Sequence, residues 1–222
     1  MDYMLKKRLK AVIFPTRCPI CGAVIFPHED FCAACRGELT EYSGNFTVWG
    51  ADGFTAAYEY NEKISPSVIL LKRGVKGNAA YALGKALAER IKGTEKMSAV
   101  DVIIPVPLYS ADKRRRGFNQ AELIAKEVGR IIGVEVCCDF VVKTRRTSPQ
   151  KTLTRRERRI NLRDAFDVEK PEIIHQRRVL LIDDVCTTGS TLIEITRLLR
   201  RKGAAAVYCA VCCKTPEINT NP

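Results

Sequence analysis

From residue 101 onward the apolar positions follow two alternating periods. Residues 101–108, DVIIPVPL, are a short continuous apolar run stopped by Pro105 and Pro107, the pattern of a buried strand. Residues 119–133, NQAELIAKEVGRIIG, carry a helical repeat that Asn119 opens, with Glu122 three residues on, and Gly133 closes. VEVCCDFVVK (134–143) reads as a second strand, RRVLLIDDV (177–185) as a third that ends in two acids, and AAAVYCAVCCK (204–214) as a further one. Between the last two, STLIEITRLLRRKG (190–203) is a helix with Leu192, Ile195 and Leu199 on one face. Strands alternating with helices predict an α/β fold, a mainly parallel sheet covered on both faces. Ligands of such sheets bind at the carboxyl ends of the strands, where the unusual residues of this chain are found.

Upstream the pattern differs. TVWGADGFTAAYEY (47–60) suggests a hairpin turning at Asp52-Gly53, and SPSVILLKRGVKGNAAYALGKALAERIKG (65–93) a helical stretch. Residues 1 to about 44 hold two CxxC elements and end in the turn-rich YSGN, which predicts a small module over 1–44 and a main domain over 45–222. The start, MDYMLKKRLKAVIFP, reads as a short basic amphipathic helix, its apolar stretch too short for a signal peptide. No run nears the ~18 apolar residues of a spanning helix, and the many thiols suit a reducing compartment, so a cytoplasmic chain is expected.

The 222 residues carry a formal charge of +12, and its distribution matters more than its size. Residues 112–116, DKRRR, hold four bases and one acid; residues 143–163 hold nine bases and one acid. These two blocks account for +3 and +8, or +11 of the +12. Flanked by turn signals, they point to a site for phosphate or nucleic acid in preference to a solvated face.

Cys18-Pro-Ile-Cys21 and Cys32-Ala-Ala-Cys35 place two thiol pairs on tight turns ten residues apart, a set of four thiolates that suits zinc, with iron as the competitor. His28 lies between the pairs as a substitute ligand. With all four positions filled by protein, the ion is structural. Cys137, Cys138, Cys209, Cys212 and Cys213 fall in strand-like runs as small core hydrophobes. An extended chain sends Cys209 and Cys212 to opposite faces, against a second metal site.

The most specific stretch is DDVCTTGST, residues 183–191, where a buried strand runs into a helix. Amides of a Gly-bearing turn at a helix N-terminus favour phosphate, and Thr187, Thr188, Ser190 and Thr191 supply hydroxyl donors around Gly189. Asp183 and Asp184, just before the loop, suit vicinal ribose hydroxyls or a magnesium ion.

This stretch resembles the phosphoribosyl-diphosphate (PRPP) motif of type I phosphoribosyltransferases. PVPL (105–108) followed by RRRGFNQ (114–120) resembles that family's diphosphate loop, and the basic segment from Arg145-Arg146-Thr-Ser-Pro-Gln150 through Arg159 and Asn161 its flexible catalytic loop, about 143–159. With the four-cysteine module, RGFNQAELIA, R-x-T-x-P-Q-x-x-L and ERRINLRDAF are similar to the ComF family, over Cys18 to about Cys213. The resemblance implies a type I phosphoribosyltransferase-like sheet flanked by helices with a zinc-ribbon-like N-terminal module. It assigns Asp183 and Asp184 to ribose, directly or through magnesium, and the 187–191 loop to the 5-phosphate. Arg116 and Gly117 fall to diphosphate, and Arg145, Arg146, Gln150 and Lys151 to closure over the site. It implies phosphoribosyl transfer to an acceptor that residues 36–93 do not announce, and a part in natural competence and DNA uptake. Lys72-Arg73-Gly74 reads either as approaching the site or as a solvated helix end. The competing expectation is a catalytically silent accessory that binds single-stranded DNA through the basic loops and zinc module, alongside DNA-uptake machinery proteins. Only Phe118 interleaves the basic blocks, which disfavours a stacking platform.

Overall fold

In the sheet strands of this chain both alternate rows of side chains are apolar. The computed structural model describes residues 14–74, 78–146, 162, 164–169 and 171–216. Its strands are β1 Gly53–Glu59, β2 Val102–Pro105, β3 Val141–Lys143, β4 Phe166–Val168, β5 Arg178–Cys186 and β6 Ala206–Lys214. The main sheet runs β1-β6-β5-β2 with every pairing parallel, and β3 and β4 form a separate antiparallel pair.

Along β5, Leu180 and Ile182 enter one buried cluster, Val179 and Leu181 the other. Tyr208, Ala210 and Cys212 divide from Val207, Cys209 and Val211 in the same way, which is what a sheet covered on both faces requires. Cys209 and Cys212 therefore do lie in different clusters. The first cluster is closed by α2 (Ser65–Lys72), α3 (Ala79–Lys92) and α6 (Gln120–Ile132), through Leu71, Leu83, Leu87, Ile124 and Val128. The second is closed by α7 (Ser190–Arg201), through Leu192, Ile195 and Leu199 as expected, and by Val141, Phe166 and Val168 of the antiparallel pair.

The cysteine module, with its short helix α1 (Ala33–Gly37), is built into the first cluster. Cys18, Ile25 and Phe31 are buried there, and the Phe31 ring meets Tyr58 edge-on at 6.1 Å. Asn78 donates to the carbonyls of Glu29 (3.3 Å) and Asp30 (3.1 Å), and the buried Asp30 carboxylate pairs with Arg36 and with Lys85 at 3.7 Å. A segment this small cannot bury a core alone and takes one from the sheet layer.

Three expectations are corrected. Residues 47–60 are not a hairpin: Asp52 is pinned to the far end of β6, its amide donating to the Val207 carbonyl (2.8 Å) and its carboxylate accepting from the Val207 amide (2.7 Å) and Arg200. The turn sits at Gly50 (φ +85°), and β1 takes its antiparallel neighbour from residues 40–42. The helical stretch 65–93 is two helices, because Gly74 is left-handed at φ +75°. The run 134–143 touches β2 by one bridge, Ile103 with Val136, then turns so that Phe140 enters the second cluster and β3 pairs with β4. The N-terminal basic helix and most of the basic loop lie outside the described residues. Among the described residues no helix is long and apolar enough to cross a membrane.

Candidate functional site

The parallel sheet places the ends of β2 and β5 side by side, with Pro105 opposite Ile182, so the segments that follow share one rim. β5 carries Asp183 and Asp184 to that rim. One Asp184 oxygen accepts from the Val185 amide (2.9 Å); the other, Oδ2, is buried and makes no hydrogen bond among the described residues. Asp183 accepts from the Asp184 amide (2.8 Å). Burial and the neighbouring carboxylate push Asp183 well above the usual carboxylate range, against the pull of Lys72.

The chain then turns through Thr187 and Thr188 to Gly189, whose φ of +74° lets α7 begin at Ser190. A Cβ at Gly189 would stand 2.8 Å from Cζ of Phe46, so the position excludes side chains twice over. The hydroxyls of Thr188 and Ser190 meet at 2.9 Å, and a recess of about 20 Å³ opens between Asp183, Thr187, Gly189, Ser190 and Thr191. That volume admits one oxygen-sized group at a helix start, where the first amides have no intrahelical acceptor. Cys186 beneath it is pushed up to about 12 by burial, with Lys214 opposing, and stays a thiol.

After β2, the second segment is fastened by Asn119. Its Oδ1 accepts from the Ala121 amide (3.0 Å) as the cap of α6, and its Nδ2 donates to the Val106 carbonyl (2.9 Å). Helix α5 (Ser110–Arg116) ends at Gly117, left-handed at φ +81°, whose amide is committed to the Lys113 carbonyl. Gly117 therefore supplies a turn, and Arg116, half-buried and donating to Gln120 (2.7 Å), supplies the cation. Glu122 does not close a capping box; it holds Lys113 (3.2 Å) and Lys126 (2.6 Å), tying α5 to α6.

Two lysines with no individual role assigned from the sequence also face the acids. Lys72, the last residue of α2, holds Nζ 3.0 Å from Asp184 Oδ2. Lys143 ends β3, bridged to Tyr109; burial lowers its ammonium's pKa, opposed by Asp112 and Asp183 and reinforced by Arg145. Arg145 and Arg146 follow it, exposed. Gln150, Lys151, Arg159 and Asn161 lie outside the described residues. For Lys143 the signal was available, as the first base of the 143–163 block; for Lys72 no local signal favoured either reading.

The four sulfurs of Cys18, Cys21, Cys32 and Cys35 lie within 4.8 Å of one another, a set that fits one tetrahedral ion. Burial works against the Cys18 thiolate, but backbone hydrogen bonds from Cys21, Cys32 and Ile20 outweigh it and bring the group down to about 7. His28 is not in the set; its ring stacks on Phe26 at 5.7 Å and its carbonyl accepts from Tyr81.

Both parts of the chain match known families. Residues 77–220 match the phosphoribosyl transferase domain, and residues 9–46 the double zinc ribbon domain. The chain is 33% identical over 203 residues to the DNA utilization protein YhgH of Escherichia coli (strain K12), covering 90% of this chain and 85% of that one. It is 34% identical over 189 residues to competence protein F of Haemophilus influenzae, covering 80% and 81%. Among solved structures, an adenine phosphoribosyltransferase from Thermoanaerobacter pseudethanolicus is 16% identical with a TM-score of 0.42, over 69% of this chain and 86% of that one.

Proposed function

The chain belongs to the phosphoribosyl transferase domain family, in the ComF group that contains competence protein F and the DNA utilization protein YhgH, and on that premise we propose that it binds PRPP with magnesium at the β2–β5 rim. The observation that carries the reading is the buried Asp184 Oδ2, which among the described residues makes no hydrogen bond and has only the Lys72 ammonium against it at 3.0 Å, on the strand that leads into a left-handed glycine and a helix start. A buried carboxylate oxygen faced by a partly exposed ammonium without a hydrogen bond can still be met by a ligand hydroxyl or a hard cation.

In this reading Thr188, Ser190 and the first amides of α7 hold the 5-phosphate, and the two carboxylates orient the ribose through its hydroxyls. Arg116, with Lys113 and the exposed Arg145 and Arg146, offsets charge on the departing diphosphate as the C1–O bond breaks. Magnesium, held at Asp183 and Asp184, would add Lewis-acid charge there. The four-cysteine module carries a structural zinc that fixes the first core layer.

Calorimetric titration of PRPP with and without magnesium tests this. Binding should require magnesium and weaken about tenfold to a hundredfold in Asp184→Asn, the loss of a charged hydrogen-bond acceptor. Failure of PRPP to bind the wild-type chain under either condition refutes it. The relative's name, DNA utilization protein, motivates a second arm with single-stranded oligonucleotide. Competition with PRPP and a steep salt dependence would assign DNA to the same basic rim.

A further inference from the structure

We infer that Lys72 is a resident counter-cation that competes with divalent metal for Asp184, so that the chain itself sets how strongly its sugar site depends on metal. This rests on the reading of Asp184 as a ligand-facing carboxylate. Lys72 Nζ lies 3.0 Å from Oδ2, yet Oδ2 has no hydrogen bond among the described residues, so the pair is a charge contact without donor alignment. The two partners are unequally placed. The Lys72 side chain is 41% exposed and the Asp184 side chain 8%. The ammonium can therefore swing back to water along its flexible stem, while the carboxylate has no such escape.

The lysine is also not a loose surface group. Two residues on, Gly74 is left-handed at φ +75°, and a Cβ there would stand 2.6 Å from Cε1 of Phe118. Phe118 belongs to the turn that carries Arg116 and Gly117, so the end of α2 is seated against the segment assigned to diphosphate. A monocation on the carboxylate both satisfies its charge and repels an incoming dication. Removing it should tighten metal binding by about tenfold or more, the scale of one unit charge at about 3 Å screened as in bulk water.

The test uses the full zinc-loaded chain and manganese as probe, since thiolates prefer zinc and manganese does not displace it. Free manganese is followed by electron paramagnetic resonance for wild type, Lys72→Met, Lys72→Arg and the double variant Lys72→Met with Asp184→Asn. Lys72→Met should bind manganese about tenfold more tightly, Lys72→Arg like wild type, and the double variant should return to weak binding. Should Lys72→Met lose its fold by circular dichroism, Lys72→Gln is read in its place with the same expectation. Equal manganese affinity in wild type and the neutral variant overturns the inference, as does tightening that survives Asp184→Asn. The readout needs no PRPP. Tightening in a chain that fails to bind PRPP would therefore refute the proposed function alone, and unchanged manganese affinity with PRPP binding intact would refute Lys72's role alone.

Discussion

Gly189→Ala measures how far the turn between β5 and α7 is imposed by the packing around it. At φ +74° a residue with a Cβ costs roughly 1–2 kcal/mol relative to glycine. The new methyl would also stand 2.8 Å from Cζ and 3.2 Å from Cε1 of Phe46. That ring has little room to yield, with Phe54 against it at 5.0 Å and the Lys214 ammonium 4.5 Å from its centroid. Forcing it aside costs about 1 kcal/mol or more, as for overpacking elsewhere. The sum, about 2–3 kcal/mol, corresponds in a chain of this length to a melting temperature lowered by about 4–12 °C in scanning calorimetry. Phe46→Ala separates the two shares. In that background the methyl has space, only the conformational cost remains, and Gly189→Ala should be milder by about 1 kcal/mol. A loss below about 0.5 kcal/mol, or the same loss in both backgrounds, would show that the turn is not fixed as described.

Phe31→Ala, at a site 1% exposed, should cost about 3–5 kcal/mol and lower the single melting transition of the whole chain, because Phe31 shares its cluster with Leu83 and Leu87. A calorimetric trace in which the main transition stays put and only a minor one moves would show that the cysteine module folds apart. Asp183 gives a pH signature. Its folded-state pKa is raised, so the folded chain holds a proton that the unfolded chain releases near 3.8, and stability falls as pH rises above that value. Asp183→Asn removes the dependence. Melts from about pH 3.5 to about pH 7.5 should show the variant level with wild type at the acid end and increasingly the more stable above it; an offset constant with pH would contradict the assignment.

The parts of the fold legible in the sequence are those that a two-residue period or a cap determines locally. β5 and β6 read correctly because both of their alternate rows are apolar, and α6 because Asn119 and Gly133 bound it where the structure does. The failures occur where a partner distant in sequence outbids a local signal. Asp52-Gly53 has the composition of a hairpin turn, yet the Asp52 carboxylate is taken by the amide of Val207, on the strand that β1 joins in parallel. The strand–loop–helix junction at 183–191 was legible for the same reason as the strands, since apolar residues, glycine and a helical repeat are consecutive there. Asn119 was legible only as a cap, because its second bond, to the Val106 carbonyl, depends on how α6 sits against the end of β2.

Charge makes the same distinction more sharply. Locating +11 of the +12 in two blocks turns a general basic character into a local one; of their described residues, Arg116 is held by Gln120 after β2 and Lys143 is bridged to Tyr109 within reach of the Asp183 charge. Among the described residues, however, the cation paired with Asp184 is Lys72, from the part of the chain that sums to almost nothing. A sum over residues weights every charge equally. The energy of a charge depends on how far it and its partner are removed from water, and Asp184 is nearly out of it. One lysine against that carboxylate therefore bears more on the site's chemistry than several arginines in solvent, and only the fold, which brings Lys72 Nζ to 3.0 Å from Asp184 Oδ2, reveals which lysine it is.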